Sequence, residues 1–157
     1  MRKALFLAAL CVSMAAVSIA QLASKKSMTL AAAKQIAAAA EKEAAANKWT
    51  VVIAILDDGG NLVYLQRMDG TQIGSIDVAV EKGRSSVKFK RPTKAFEDAL
   101  KGGRQAILRL PGALPVEGGI PLMKDGVVVG AIGVSGVQSF EDAQIAAAGV
   151  KVFDSMN

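Results

Sequence analysis

The sequence predicts an α+β domain in which two β-hairpins form a mainly antiparallel sheet covered by helices. Two stretches rich in β-branched residues are each followed by a tight turn and a returning strand. Helix-forming stretches stand before, between and after these hairpins, and no internal repeat or linker interrupts them. The expected order of elements is therefore α-β-β-α-α-β-β-α.

The N-terminus has the pattern of a secretory signal peptide. Arg2 and Lys3 precede an apolar stretch rich in Ala and Leu, and Ala20 ends a small-residue cleavage site. The single cysteine, Cys11, would leave with this segment, so we expect a mature chain without disulfides. No second long apolar segment follows, so no membrane span is expected after cleavage. The expected organisation is a signal peptide over 1–20, a short polar leader over 21–27 and a single domain over 28–157, in a periplasmic or secreted protein.

The composition excludes several classes of function. The 157 residues include no histidine, which removes His-based catalysis and the commonest haem ligand. The net charge is only +5 and the basic residues are scattered, so nucleic acid is not an expected partner. Asp77 and Glu81 stand four residues apart on a predicted helix and could hold a metal together, but a solvated helix face also explains them.

The first half of the chain supplies two helices and one hairpin. Thr29 is the predicted N-cap of an Ala-rich helix that ends near Asn47. "WTVVIAIL" is apolar on both faces, as in a central strand, and "DDGG" turns the chain into the strand "NLVYLQRM". Ser75 is the predicted N-cap of the next helix, and Pro92 ends it.

The second half supplies a short helix, another hairpin and a closing helix. "TKAFEDAL" predicts a helix ending at Gly102, and a loop follows it. "GGIPLM" and "VVVGAIGV" form the second hairpin. The glycines of "GAIGVSG" lack the spacing of a dinucleotide-binding loop, so they indicate a strand that a helix approaches closely. Ser139 and Asp142 form the predicted capping box of the last helix.

Several polar residues stand where elements end, beside a Gly or a Pro. "RMDG" contains Arg67 and Asp69, and "KRPT" contains Arg91 and Thr93. Binding and catalytic residues are often placed on such loops, although a plain turn and a plain helix stop explain these motifs equally well. Glu117 stands alone in the run "LPVEGGIPL", where a carboxylate needs a partner if it is buried.

Five consecutive blocks resemble the GlcG/HbpS family of haem-degrading-domain proteins, which is related to the C-terminal domain of PduO-type cobalamin adenosyltransferases. They are "MTLAAAKQIAAAAEKEA", "VVIAILDDGGNLVYLQRMDG", "GSIDVAVEKGRSSVKFKRPT", "LPGALPVEGGIPL" and "DGVVVGAIGVSG". The resemblance implies a profilin-like fold, with a five-stranded antiparallel sheet and helices packed on its faces. It also implies a homo-oligomer, octamers being known in the family, and haem or a related tetrapyrrole as the ligand.

The resemblance points to Thr93 as the axial ligand of the haem iron. Other ligands open to a chain without histidine are Met68, Met123 and Tyr64. Positively charged side chains would hold the propionates through charge-assisted hydrogen bonds. The expected cofactor-binding residues are Thr93, Arg91, Arg67, Met68, Asp69, Lys88, Glu117, Gly118 and Gly119.

The leading prediction is an exported haem-binding protein that degrades, buffers or senses haem. Glu117 would then pair with Arg67 or Arg91 in a pocket wall near a subunit boundary. One alternative is an enzyme for a small organic acid, with Arg91 on the carboxylate and Glu117 or Asp69 as acid or base. Another is a structural oligomer with a vestigial pocket. Thr93 has its own alternative role, as the N-cap of the helix that follows it.

Overall fold

The computed structural model describes residues 21–156, so the predicted signal peptide over 1–20 lies outside the described residues. The elements are α1 (Leu30–Ala46), β1 (Val52–Asp57), β2 (Leu62–Arg67), α2 (Ser75–Phe89), α3 (Lys94–Lys101), a 3₁₀ helix (Gln105–Arg109), β3 (Gly119–Lys124), β4 (Val127–Ser135) and α4 (Ser139–Asp154). The predicted order of helices and strands is confirmed. Within 21–156, no helix is both long and apolar enough to cross a membrane.

The sheet is antiparallel throughout, in the order β2-β1-β4-β3. In the described part of the chain it has four strands, as the two predicted hairpins indicate, so the five strands implied by the family resemblance are wrong. The long stretch between α3 and β3, predicted as a loop, forms the 3₁₀ helix and turns. Pro111 and Pro115 lie in this stretch with several glycines, and these residue types interrupt strands.

Helices cover both faces of the sheet. Along β1, Ile53 and Ile55 face a large core formed with α1 and α4, which also pack against each other. Val52, Ala54 and Leu56 face the opposite side, where α2 covers β1, β4 and β3. All five side chains are fully buried, which explains why the predicted central strand is apolar on both faces.

Small residues bring α2 very close to β4. A Cβ placed on Gly133 would lie 2.0 Å from the carbonyl oxygen of Ala79 and 2.7 Å from the backbone nitrogen of Gly83. A side chain at position 133 would therefore push the helix off the strand. The predicted close approach of a helix to this glycine-bearing strand is confirmed.

The first two helix starts were predicted with unequal success. Thr29 caps α1 as expected, because its Oγ1 accepts a hydrogen bond from the Ala32 N–H at 3.1 Å. Ser75 was predicted to cap α2, but the N-cap is Gly74. Ser75 is instead buried, with its Oγ 3.3 Å from the Oγ of Ser135 on β4.

The last helix begins one residue earlier than predicted. Gln138 is the N-cap, and its N–H donates to the carboxylate of Glu141 at 2.9 Å, so the predicted box of Ser139 and Asp142 is wrong. Asp142 is instead 2% exposed, and its carboxylate contacts Lys82 and the Val137 N–H.

Candidate functional site

A groove of about 350 Å³ crosses the outer edge of β3, between the start of α3 and the start of α4. It contains the stretch that stood out in the sequence, Glu117 with the two glycines after it. Phe140 at one side is 64% exposed, although it is a large aromatic residue. The lining residues are Pro92, Lys94, Glu117, Gly118, Gly119, Ile120, Phe140, Ala143 and Gln144.

The floor of this groove is backbone, because no side chain fits at its two glycines. Gly118 has a φ of +123°, and a Cβ there would lie 2.8 Å from the Nζ of Lys82 and 2.8 Å from the carbonyl oxygen of Val134. A Cβ on Gly119 would lie 2.3 Å from the carbonyl oxygen of Lys82. Both glycines are buried, and their missing side chains would point inward, so they let this loop pack directly against α2 and β4.

Directly beneath the floor lies a buried ion pair between α2 and α4. The Nζ of Lys82 is 2.7 Å from Oδ2 of Asp142, and the two side chains are 1% and 2% exposed. Lys82 also donates to the carbonyl oxygen of Val134 at 3.0 Å, and Oδ1 of Asp142 accepts from the Val137 N–H at 3.2 Å. Burial raises the pKa of the Asp142 carboxyl, while the Lys82 ammonium acts in the opposite direction.

Glu117 is held by α3 rather than by an arginine. Its carboxylate is 16% exposed and lies 4.0 Å from the Nζ of Lys94, and its N–H donates to the Glu97 carboxylate at 2.6 Å. The predicted pairing with Arg67 or Arg91 is absent among the described contacts. Arg67 ends β2, at the opposite edge of the sheet, and three strand spacings separate the edges by roughly 14 Å.

Glu97 connects the loop that carries Glu117 to Lys101 in the last turn of α3. Its carboxylate receives the Glu117 N–H and also pairs with Lys101. Burial by itself would raise the pKa of Glu97, but the hydrogen bonds from Lys101 and from the Glu117 N–H outweigh it, so this pKa is lowered. The charge of Glu97 therefore helps to hold the rim of the groove.

Thr93 is fully buried, and its hydroxyl holds β3. Its Oγ1 accepts from the Gly119 N–H at 3.0 Å, and its own N–H donates to the Gly119 carbonyl oxygen at 3.0 Å. Thr93 occupies the N-cap position of α3 but makes no side-chain cap bond, so the alternative capping role is wrong. The role as an iron ligand stays a prediction, and it requires this enclosed oxygen to become accessible.

The other predicted residues lie in two further places. Arg67, Met68 and Asp69 line a separate polar notch beside β2, together with Glu41, Thr50 and Gln66. Arg91 lies over the ring of Phe96 at 5.7 Å and donates to the carbonyl oxygen of Phe89. Lys88 is exposed, with its Nζ against Gly112. The structure thus brings together only Glu117, Gly118 and Gly119, with Thr93 directly behind them.

Four residues at or beneath the groove were not among the predicted binding residues: Lys82, Asp142, Lys94 and Phe140. Lys82 carries a usable signal, because Ala79, Lys82, Gly83 and Ser86 form a stripe of otherwise small residues at helical spacing. A stripe of small residues indicates the side of a helix that packs closely on a sheet. Its spacing therefore predicts that Lys82 lies on the buried side of α2. Nothing comparable in the sequence singles out Lys94 or Phe140.

The groove fits a flat, largely apolar molecule that carries a carboxylate. Phe140, Ile120 and Ala143 supply apolar contacts. The Lys94 ammonium pairs with Asp98 on the exposed helix surface at 2.8 Å, a weak contact that a ligand carboxylate can replace. The Glu117 carboxylate is the acidic side chain of the lining. Within 21–156, no cluster of three acidic, Cys or His side chains is placed to hold a bare metal ion.

Fold and groove together define an α+β domain whose sheet edge carries a cavity in the size range of small-molecule sites. The chain belongs to the HbpS-like family, whose model is described as "Haem degrading protein HbpS-like" and matches residues 28–151. Protein GlcG of Escherichia coli K12 is 40% identical over 92 residues, which cover 59% of this chain and 69% of that protein. The resemblance to the GlcG/HbpS family is thereby confirmed.

Solved structures agree with this membership. A double mutant of Streptomyces reticuli HbpS matches with a TM-score of 0.76 and 32% identity, over 88% of this chain and 97% of that chain. A PduOC:haem complex matches with a TM-score of 0.73 over 80% of this chain and 94% of that chain. Its identity of 24% means that this second likeness shows the fold alone.

Proposed function

We propose that this protein binds haem or a related tetrapyrrole in the groove at the edge of β3. The single observation that carries the proposal is the groove at the edge of β3, in which the apolar side chains of Phe140 and Ile120 lie beside the Lys94 ammonium. A planar ring can lie against such an apolar wall, and Lys94 is placed for a propionate. The family to which the chain belongs is described as haem-degrading, and this supports the ligand.

Residues of this chain have separate roles in the proposed site. Phe140 and Ile120 contact the ring and exclude water from one side, and Lys94 orients it through a propionate. Glu117, 4.0 Å from Lys94, is the candidate iron ligand of the groove itself, while Thr93 remains the candidate that the family resemblance implies. Bound haem supplies the redox-active iron, and the protein supplies placement and charge.

Export and self-association belong to the same proposal. The pattern of residues 1–20 supports secretion to the periplasm or the medium. The exposed Phe140 beside an open groove supports a homo-oligomer in which a second copy covers the ligand, because large apolar patches at binding sites favour association.

A hemin titration followed at the Soret band tests the binding. We expect saturation at a fixed ratio per subunit for the wild type and at least tenfold weaker binding for Lys94→Gln. Lys42→Gln is the matched control, since Lys42 is an exposed lysine on α1 away from the groove. Equal affinities of Lys94→Gln and the control, or a titration without saturation, contradict the proposal.

A small organic acid is the second candidate ligand. The observation that favours it is the separation of 4.0 Å between the Lys94 ammonium and the Glu117 carboxylate, which offers a cation and a nearby acid or base. Thermal stabilisation by short hydroxy acids, without any hemin saturation, would favour this candidate.

Degradation of bound haem would be a further activity. Loss of the Soret band in the presence of a reductant and oxygen measures it.

A further inference from the structure

The buried ion pair beneath the groove is the feature of the site that neither ligand proposal uses. Lys82 and Asp142 lie under Gly118 without facing the cavity. We propose that both are positioning residues, which fix the glycine floor and the first turn of α4 relative to each other. Their pair is retained for the geometry of the site rather than for stability. The choice of hemin as the probe rests on the proposed function.

A continuous set of contacts runs from the pair to the floor. The Lys82 ammonium donates to the carbonyl oxygen of Val134, and the Val134 N–H donates to the carbonyl oxygen of Gly118 at 2.9 Å. A Cβ on Gly118 would lie only 2.8 Å from the same ammonium, so Gly118 packs directly against the Lys82 side chain. A displaced Lys82 therefore displaces the floor.

The pair also sets one wall of the groove. Asp142 stands in the first turn of α4, between the lining residues Phe140 and Ala143. Its Oδ1 accepts from the Val137 N–H, which fixes the entry of the chain into this helix. A binding site requires its walls to be held to within about 0.5 Å, and this ion pair joins wall and floor through side chains that water does not reach.

Stability alone does not explain why such a pair is kept. Taking two charges out of water costs about as much as their attraction returns, so a well-packed apolar pair of similar volume is often as stable. Loss of one partner is different, because it leaves a buried charge uncompensated. The positioning role therefore predicts that replacing both residues by apolar ones restores stability but not ligand binding, whereas replacing only one of them lowers both.

The test compares Lys82→Met, Asp142→Leu and the double variant Lys82→Met/Asp142→Leu in thermal unfolding and hemin titration. We expect each single variant to melt below the wild type and the double variant to regain most of the loss. Hemin binding of the double variant should stay at least tenfold weaker than that of the wild type. A double variant that melts like the wild type and binds hemin equally well overturns the inference.

A matched control removes another buried polar contact between α2 and β4. Ser75→Ala/Ser135→Ala deletes the two hydroxyl groups that lie 3.3 Å apart and do not line the groove. This control should keep the wild-type affinity for hemin. An equal loss of affinity in the control would show a general loosening of α2 and would also overturn the positioning role.

A readout without ligand separates this inference from the proposed function. The Gly119 N–H is fixed by its bond to Thr93, so its hydrogen exchange reports the order of the floor. In the double variant it should exchange at least tenfold faster, with the amides of β1 unchanged. Unchanged exchange at Gly119 overturns the inference even if hemin never binds the wild type. If the double variant does not fold, Asp142→Asn replaces it, because asparagine removes the charge but keeps the size of the side chain. Weaker hemin binding and faster exchange of the Gly119 N–H support the inference, and unchanged exchange overturns it.

Discussion

Replacing Gly118 by Ala should destabilise the protein far more than replacing another glycine that also has a positive φ. At position 118 the new methyl group meets the Lys82 ammonium, the Val134 carbonyl oxygen and the Asp142 Cβ, at 2.8, 2.8 and 2.9 Å. Gly126, in the turn between β3 and β4, has a φ of +76° and no atom within 4 Å of its added Cβ. Gly126→Ala therefore measures the cost of a left-handed backbone without crowding, while the φ of +123° at Gly118 lies further from the left-handed region and adds to the loss there.

The magnitude follows from two contributions. A non-glycine residue in a left-handed conformation costs about 1–2 kcal/mol, which is all that Gly126→Ala should lose. Gly118→Ala adds a displacement of the Lys82–Asp142 pair, and disrupting a buried pair costs about 3–5 kcal/mol when it is complete. A partial displacement puts the expected loss for Gly118→Ala at roughly 3–5 kcal/mol in total.

Urea unfolding of both variants, followed by far-UV circular dichroism, measures this difference directly. We expect a midpoint for Gly118→Ala well below that of Gly126→Ala, at an unchanged slope. Equal losses of unfolding free energy in the two variants would refute the reasoning, because the crowding beneath position 118 would then contribute nothing. A large loss at Gly126 alone would refute it as well.

Three further predictions concern acid stability, the buried threonine and the state of the mature protein. The pKa of Glu97 is lowered from its ordinary value of 4.5, so the ionised carboxylate stabilises the fold fully above pH 4.5, and this stabilisation is lost as the pH falls through the lowered pKa. Glu97→Gln should therefore flatten this part of the curve of unfolding free energy against pH. Thr93→Val leaves the buried Gly119 N–H without an acceptor and should cost about 1–3 kcal/mol, whereas Thr93→Ser should cost little; equal melting temperatures would contradict this. The secreted protein should begin near Gln21 by N-terminal sequencing and should be larger than a monomer by light scattering.

Hydrophobic patterning was sufficient to predict the order of the elements. The alternating and doubly apolar stretches of β1 and β4 and the Ala-rich composition of α1 are local signals, and each structure formed where its signal lay. The helix starts were less predictable. Ser75 and Asp142 are both common capping residues, but tertiary contacts use them instead, with Ser135 and with Lys82. A cap is predicted from chain neighbours, and these two partners are each sixty residues away.

Little of the candidate site was predictable from local pattern alone. The family resemblance pointed to Glu117 and the two glycines after it, which the structure places in one groove, and their role in binding stays a prediction. The partner of Glu117 was not predictable, because Arg91 and Lys94 carry the same charge only three residues apart and the sequence does not show which of them faces Glu117. The grouping of Arg67 with Arg91 failed for a topological reason, since the strand order that separates their edges is not encoded locally.

The bond between Thr93 and Gly119 has a consequence for how copies of this protein can join. Gly119 turns its N–H and carbonyl oxygen away from β4, and Thr93 occupies both. The next residue of β3 that faces outward is Pro121, which has no N–H to offer. An incoming strand would therefore meet two consecutive blocked positions, a common protection against uncontrolled lateral growth into fibres. Any continuous sheet shared by two copies must then be formed along β2, whose length contains no proline.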